Sequence, residues 1–196
     1  MIDNKKNVKR DFILENFVGN EQALVLGSSW PEGEKYLFPY INNCDHKVII
    51  APHDISVSHI NQLLKSIQVT CERYTTFNEN SEAKVLILDT IGQLANAYSY
   101  ATVAYVGGGF SGSLHNILEP AVFGVPVLFG PKHDKYPEAD AFIENGIGFE
   151  FTSSEEFERQ LSMIFENIDS LKMKTADFIE SQKGAVDKIY ASITSN

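Results

Sequence analysis

Residues 104–119 read Ala-Tyr-Val-Gly-Gly-Gly-Phe-Ser-Gly-Ser-Leu-His-Asn-Ile-Leu-Glu, an apolar strand that runs into a glycine-rich turn and then into a helix. Glycine lets a backbone approach a ligand closely, and the free amides at a helix start attract anions. We expect the helix to open at Leu114 to Asn116, so that Glu119 lies one turn inside it. A carboxylate there can reach ribose hydroxyls beside a bound phosphate. The motif therefore predicts a nucleotide site, and a sugar nucleotide is the favoured ligand.

The rest of the chain alternates apolar runs with helical patterns. Strands that are covered on both faces are predicted near 23–27, 47–51, 70–77, 84–89, 103–106 and 125–129. Helices are predicted near 5–16, 31–41, 56–67, 92–98, 115–123, 137–145, 154–167 and 172–194. This alternation predicts an α/β fold with a Rossmann-like, doubly wound parallel sheet. We expect one domain over 1–196, with its core at about 20–150 and its C-terminal helices at about 154–194.

Ligands of such sheets lie at the carboxyl ends of the strands. Five segments that follow strands should therefore gather at one edge: Gly27–Trp30, Pro52–Asp54, Asp89–Gly92, Gly107–Gly112 and Gly130–His133.

Composition limits the classes of partner. The chain has 16 basic and 26 acidic residues and a formal net charge of -10, which argues against binding to nucleic acid. Its two cysteines lack the spacing of zinc or redox sites.

We expect a soluble, cytoplasmic chain, because neither a secretory signal nor a long apolar run occurs. His115 and Glu119 lack a third ligand at suitable spacing, and the chain has no Asp-x-Asp pair, so we expect a donor site without metal or other cofactor.

Four motifs together resemble one enzyme family. Gly27-Ser-Ser-Trp-Pro-Glu-Gly-Glu34, Ala51-Pro-His-Asp54, Asp89-Thr-Ile-Gly-Gln-Leu94 and the run from Val106 to Val127 occur in the order found in bacterial Kdo transferases. Those enzymes move 3-deoxy-D-manno-octulosonic acid (Kdo) from its CMP ester onto lipid A precursors during lipopolysaccharide biosynthesis. The resemblance covers about residues 20–150.

The resemblance implies the C-terminal, donor-binding half of a GT-B glycosyltransferase. The N-terminal half, which in the family carries the catalytic carboxylate, the acceptor site and the membrane-associating segment, has no counterpart in the chain. We therefore expect an excised domain that is inactive alone and holds no catalytic residue. The full enzyme would act at the cytoplasmic face of the inner membrane and reach the lipid A precursor through its other domain.

The resemblance also implies roles for individual residues. Pro52 and His53 would approach the donor phosphate or the sugar carboxylate. The other implied contacts are Ile91, Gly92 and Gln93 for cytosine and ribose, the amides of Gly108 and Gly109 for phosphate, and Asn116, Ile117, Leu118 and Glu119 for the nucleotide, with Glu119 on ribose hydroxyls. The family usually has Arg where this chain has His53, so donor affinity is expected to be weaker or more dependent on pH.

Other interpretations stay open at this point. Ser28 and Ser29 either bond the donor or cap the following helix, and His115 is a helix-start residue, a packing residue or a phosphate neighbour. The glycines of Gly107-x-Gly109-x-x-Gly112 match the dinucleotide fingerprint of NAD-linked dehydrogenases, although the acidic residue after the next strand is missing. A UDP-sugar transferase, a sugar-nucleotide epimerase and a non-catalytic nucleotide-binding module are the further alternatives.

Overall fold

The computed structural model describes residues 9–194, with side chains up to Gln182. In this part of the chain, a seven-stranded sheet with parallel pairing throughout carries helices on both faces. The strands are β1 (Ala23–Ser29), β2 (Lys47–Pro52), β3 (Cys71–Arg73), β4 (Val85–Ile87), β5 (Val103–Val106), β6 (Val127–Phe129) and β7 (Gly148–Glu150). The helices are α1 (Phe12–Val18), α2 (Pro31–Ile41), α3 (Val57–Ser66), α4 (Leu94–Ser99), α5 (Leu118–Ala121), α6 (Pro137–Glu144), α7 (Ser154–Glu166) and α8 (Ile168–Thr194).

The order of the strands places a crevice at the centre of the sheet. The order is β3-β4-β2-β1-β5-β6-β7, so β1 pairs with β2 on one side and with β5 on the other. The chain builds outward in opposite directions from this point, and ligands of doubly wound sheets bind at the carboxyl ends of the strands that flank such a reversal. The prediction of a Rossmann-like, doubly wound parallel sheet is confirmed.

The core has one layer on each face of the sheet. Along β1, Ala23 and Val25 pack with one layer, and Leu24 and Leu26 with the other. Successive strand side chains point to opposite faces, and both faces are covered, so the strands are continuously apolar. Helices α1, α4, α5 and α6 cover the first face, and α2, α3 and α7 cover the second.

Three local predictions differ from the structure. The edge strand β7 was not expected, because three residues that follow a turn at Gly146 give no readable period. The run predicted as a strand over 70–77 holds only the three-residue β3, and a short 3-10 helix follows at Tyr74–Thr76. The helix predicted over 115–123 is only the four-residue α5.

The helix before the sheet is partly within the described residues. Residues 5–8 of the predicted helix lie outside them, and α1 begins after Asp11, whose carboxylate accepts hydrogen bonds from the amides of Ile13 and Leu14 at 3.1 Å. None of the helices in the described region is long and apolar enough to cross a membrane.

Candidate functional site

The turn between β1 and α2 has an unusual backbone. Ser28 has a φ of 49°, and among the described residues it is the one non-glycine residue with positive φ. It forms a bulge in the pairing of β1 with β2, where the register shifts between Gly27 and Ser29. Such a backbone costs about 1–3 kcal/mol and persists only where its surroundings hold it in place. A Cβ on Gly107 would collide with the carbonyl oxygen of Ser28, so the turn and the glycine-rich loop are packed backbone to backbone.

A cavity of about 280 Å³ opens beside this turn. It lies at the carboxyl ends of β1, β2 and β4, as the strand-end rule predicts. Five of the residues predicted from sequence line it together: Ser28, Pro52, His53, Ile91 and Gly92. The remaining lining residues are Ala51, Ile55, Leu88, Thr90 and Leu94.

The cavity combines an apolar rim with polar groups. The side chain of Ile91 is 82% exposed, although it is large and apolar. Gly92 follows it with a φ of 95°, which a side chain would disfavour. An exposed aliphatic side chain at the edge of a cavity offers a surface on which a flat heterocycle can pack.

His53 is held in an aromatic stack at the mouth of the cavity. Its ring lies 4.1 Å from the ring of Trp30, with 22° between the planes, and 4.9 Å from the ring of His115. The indole Nε1 of Trp30 donates a hydrogen bond to Nε2 of His115 at 3.2 Å. Burial, and then the nearby His53, lower the pKa of His115. His115 is therefore neutral at pH 7 and carries its proton on Nδ1.

The glycine-rich loop is folded tightly on itself. Gly108 has a φ of 90°, and a Cβ there would collide with the backbone of Ser113. A Cβ on Gly109 would lie 2.7 Å from the backbone of Gly130, in the loop after β6. Gly109 also accepts a hydrogen bond from the amide of Lys132 at 2.7 Å, so the loops after β5 and β6 form one unit.

The expected helix start within this loop was wrong. The chain from Gly112 to Asn116 is not helical; α5 begins at Leu118, and Glu119 is its second residue rather than lying one turn inside it. Several loop amides already have partners within the loop, namely those of Ser111, Ser113, His115, Leu118 and Glu119. Within the described residues, the amides of Asn116 and Ile117 make no such bond.

Asn116 orients the start of α5. Its side-chain oxygen accepts a hydrogen bond from the amide of Leu118 at 3.1 Å, and its side-chain nitrogen donates to Oε1 of Glu119 at 3.3 Å. Ile117 is fully buried in the core, and Leu118 packs against it. This segment can offer a ligand the backbone amide of the partly exposed Asn116 and the carboxylate of Glu119, whereas the amide of Ile117 is buried with its residue.

Ser29 and Gln93 are placed differently from the other predicted residues. Ser29 is fully buried, and its hydroxyl donates to Oε1 of Glu34 at 2.7 Å, so the expectation that Ser29 contacts the donor or caps α2 is corrected. Gln93 precedes α4 and lines a neighbouring cavity of about 470 Å³, which shares Gly92 with the first.

Sequence reasoning did not identify Trp30, Thr90 or Leu94 as site residues and left His115 unassigned. Thr90 lies within the predicted strand-end segment Asp89–Gly92, and Leu94 lies two residues beyond it, so extending the segment would have included both. The contact between Trp30 and His115 depends on the pairing of β1 with β5, which a single sequence does not display. Among the described residues, no cluster of three or more His, Cys, Asp or Glu side chains is arranged to hold a metal ion.

Several curated relatives of the chain share one name. Over 195 residues the chain is 26% identical to the 3-deoxy-D-manno-octulosonic acid transferase of Rickettsia felis, and the alignment covers 92% of this chain and 42% of that protein. Over 102 residues it is 34% identical to the enzyme of the same name from Aquifex aeolicus, and this alignment covers 51% of this chain and 29% of that protein. The chain thus spans less than half the length of these relatives. No protein-family model matches it.

A solved structure has the same fold. The C-terminal CMP-Kdo binding domain of WaaA from Acinetobacter baumannii aligns with a TM-score of 0.72 at 19% identity, over 91% of this chain and 97% of that one. The resemblance indicated by the four sequence motifs is confirmed, and the chain is a relative of part of the 3-deoxy-D-manno-octulosonic acid transferases.

Proposed function

We propose that the chain is the donor-binding domain of a Kdo transferase and that its ligand is CMP-Kdo. The names of the relatives and the fold shared with a CMP-Kdo binding domain support this assignment. The observation that carries it is the strand-end cavity, where Ser28, Pro52, His53, Ile91 and Gly92 come together although three separate strands supply them.

The cavity suggests how the nucleotide is oriented. Cytosine packs on Ile91 and the backbone of Gly92, with Gln93 at the far side of Gly92. The phosphate lies at His53, and the unpaired amide of Asn116, which follows His115 beside His53, is its second donor. Glu119, held by Asn116, then faces the ribose hydroxyls. Each group of the ligand thus meets a protein group of matching chemistry.

The same groups stabilise the leaving group. In the full enzyme a carboxylate of the other domain deprotonates the acceptor hydroxyl, which attacks the anomeric carbon of Kdo as CMP departs. Negative charge grows on the phosphate during this step. Fixed donors aimed at that charge lower the barrier, and His53 with the amide of Asn116 supplies them. We propose that no metal ion takes part, because a single phosphate needs only these few donors.

The acceptor and the membrane belong to the whole enzyme. We propose that the acceptor is a lipid A precursor, presented by an N-terminal domain at the cytoplasmic face of the inner membrane during lipopolysaccharide biosynthesis. The chain alone is then expected to bind CMP weakly and to transfer nothing.

Isothermal titration of the chain with CMP, UDP and NAD tests the proposal. CMP is expected to bind, and UDP and NAD are expected to bind at least about tenfold more weakly. A hydrogen bond to a charged group that is lost in the poorer fit costs about 1.5 kcal/mol, which is about tenfold in affinity. A preference for UDP would favour a UDP-sugar transferase, and a preference for NAD would favour a dehydrogenase. Either result would overturn the assignment.

A further inference from the structure

A buried polar cluster begins at Ser29, next in sequence to Ser28, which lines the strand-end cavity proposed to bind the donor, called the donor cavity below. It consists of Ser29 at the end of β1, Glu34 in the first turn of α2 and His59 in the first turn of α3, which are 0%, 3% and 5% exposed. One carboxylate oxygen, Oε1 of Glu34, receives the hydroxyl of Ser29 at 2.7 Å and lies 3.2 Å from Nε2 of His59. None of these side chains lines the donor cavity.

Burying such groups is costly unless they satisfy one another. The cluster lies against further packed groups: a Cβ on Gly33 would collide with the hydroxyl of Tyr105, which is buried without a hydrogen-bond partner in the described structure. Burial, and then the charge of Glu34, raise the pKa of Tyr105. Glu34 is held by its contacts with Ser29 and His59 and by the close packing of the adjacent Gly33 on Tyr105.

The cluster is connected to the cavity through the backbone of Ser29. The carbonyl of Ser29 accepts a hydrogen bond from the amide of His53 at 2.9 Å. Ser28 precedes it in a left-handed backbone that needs external support, and the carbonyl of Ser28 packs on Gly107. The hydrogen bond from the hydroxyl of Ser29 to Glu34 anchors this turn on the side of α2.

We propose that Glu34, held between Ser29 and His59, is a positioning residue that sets the backbone of Ser28 and His53 and thereby the shape of the donor site. It does this without touching the ligand. The expected effect on donor affinity rests on the proposed function, whereas the expected effect on the conformation of the turn does not.

The test uses four variants of the chain and a matched control. S29A and E34A each remove one partner of the hydrogen bond between Ser29 and Glu34, and the double variant removes both partners. E34Q keeps a side-chain oxygen that can accept the hydrogen bond from Ser29. E32A changes an exposed carboxylate of the same helix and serves as the control. S29A removes only one hydroxyl, so it keeps the test valid if E34A does not fold.

CMP affinity is expected to fall about tenfold in S29A and in E34A, as for the loss of one buried hydrogen bond. The double variant is expected to lose little more than either single variant, because both act through one bond. E34Q is expected to recover most of the affinity, and E32A to match the wild type. Wild-type affinity in both S29A and E34A would overturn the proposal.

Two readouts need no ligand. Trp30 is the only tryptophan of the chain and lies next to Ser29, so its fluorescence reports the turn directly. Trp30 emission and the NMR amide shifts of Ser28, His53 and Gly107 are expected to change in S29A and E34A but not in E32A. If the wild type does not bind CMP, the proposed function fails, but the emission and amide shifts still test whether Glu34 positions the turn. Unchanged emission and shifts in both S29A and E34A would refute the positioning role of Glu34.

Discussion

Trp30 and His115 are 85 residues apart in sequence, yet the indole Nε1 of Trp30 donates to Nε2 of His115 at 3.2 Å. The bond requires a lone pair on that nitrogen, so it exists only while the imidazole is neutral. It joins the turn after β1 to the segment after β5. Protonation of His115 would therefore loosen the connection between two sides of the donor site.

The first prediction concerns the dependence of stability on pH. Since the pKa of His115 in the folded chain lies below its usual 6.5, the unfolded chain binds a proton on this ring at a higher pH than the folded chain does. Stability is thus present above about pH 6.5 and is lost as pH falls towards the lowered value. H115Q keeps an acceptor for the indole but does not titrate. We expect the Tm of H115Q to fall less than that of the wild type between about pH 8 and about pH 5.

Thermal unfolding followed by circular dichroism checks this expectation. His46, whose pKa is also lowered by burial, is present in both proteins and cancels in the comparison. Parallel Tm profiles for the two proteins would show that His115 takes up no linked proton.

The second prediction concerns His53. H53A is expected to weaken CMP binding by about 1.5 kcal/mol, roughly tenfold, because a hydrogen bond to a charged phosphate is lost. H53R is expected to bind CMP more tightly than the wild type, since a planar guanidinium offers a phosphate a fork of donors that an imidazole lacks. Calorimetric titration measures the affinities of both variants. K65A, an exposed change on α3, is the control. Wild-type affinity in H53A would contradict the proposed role.

The third prediction concerns the exposed side chain of Ile91. If cytosine covers this side chain, I91S should weaken CMP binding by about 1 kcal/mol through the loss of apolar contact. Val57 is a matched control, because it is an aliphatic residue 78% exposed and lies outside the donor cavity. V57S should leave CMP affinity unchanged. Similar affinities for the two variants would mean that the base binds elsewhere.

The fourth prediction concerns Glu119 and the ribose. The wild type should prefer CMP to 2′-deoxy-CMP by about 1 kcal/mol, the value of one hydrogen bond. E119A should bind both nucleotides equally, because the carboxylate that distinguishes them is gone. Competition titrations of both proteins with the two nucleotides provide the measurement. A preference for CMP that persists in E119A would place the ribose hydroxyls on another group.

Much of this site could be predicted because the chain obeys strong local rules. Continuous apolar strands and a Pro at the first position of α2 predicted the parallel sheet and the bounds of that helix correctly. The strand-end rule then predicted that Ser28, His53 and Ile91 lie at one edge of the sheet.

The remainder depends on features that no local rule contains. The bulge at Ser28 reverses the usual alternation, so Ser29 points into the protein instead of towards the ligand. The loop from Gly107 to Asn116 uses its own carbonyls as hydrogen-bond acceptors, and the helix begins only at Leu118. The same loop packs against the loop after β6 through Gly109 and Gly130, a contact that a single sequence does not display.

The left-handed backbone of Ser28 has a consequence for engineering. Glycine would adopt that φ without penalty, so S28G should raise the melting temperature while it deletes a hydroxyl from the rim of the cavity. Under the proposed function, thermal stability and CMP binding are in competition at this single position, so selection for heat resistance alone is expected to weaken CMP binding.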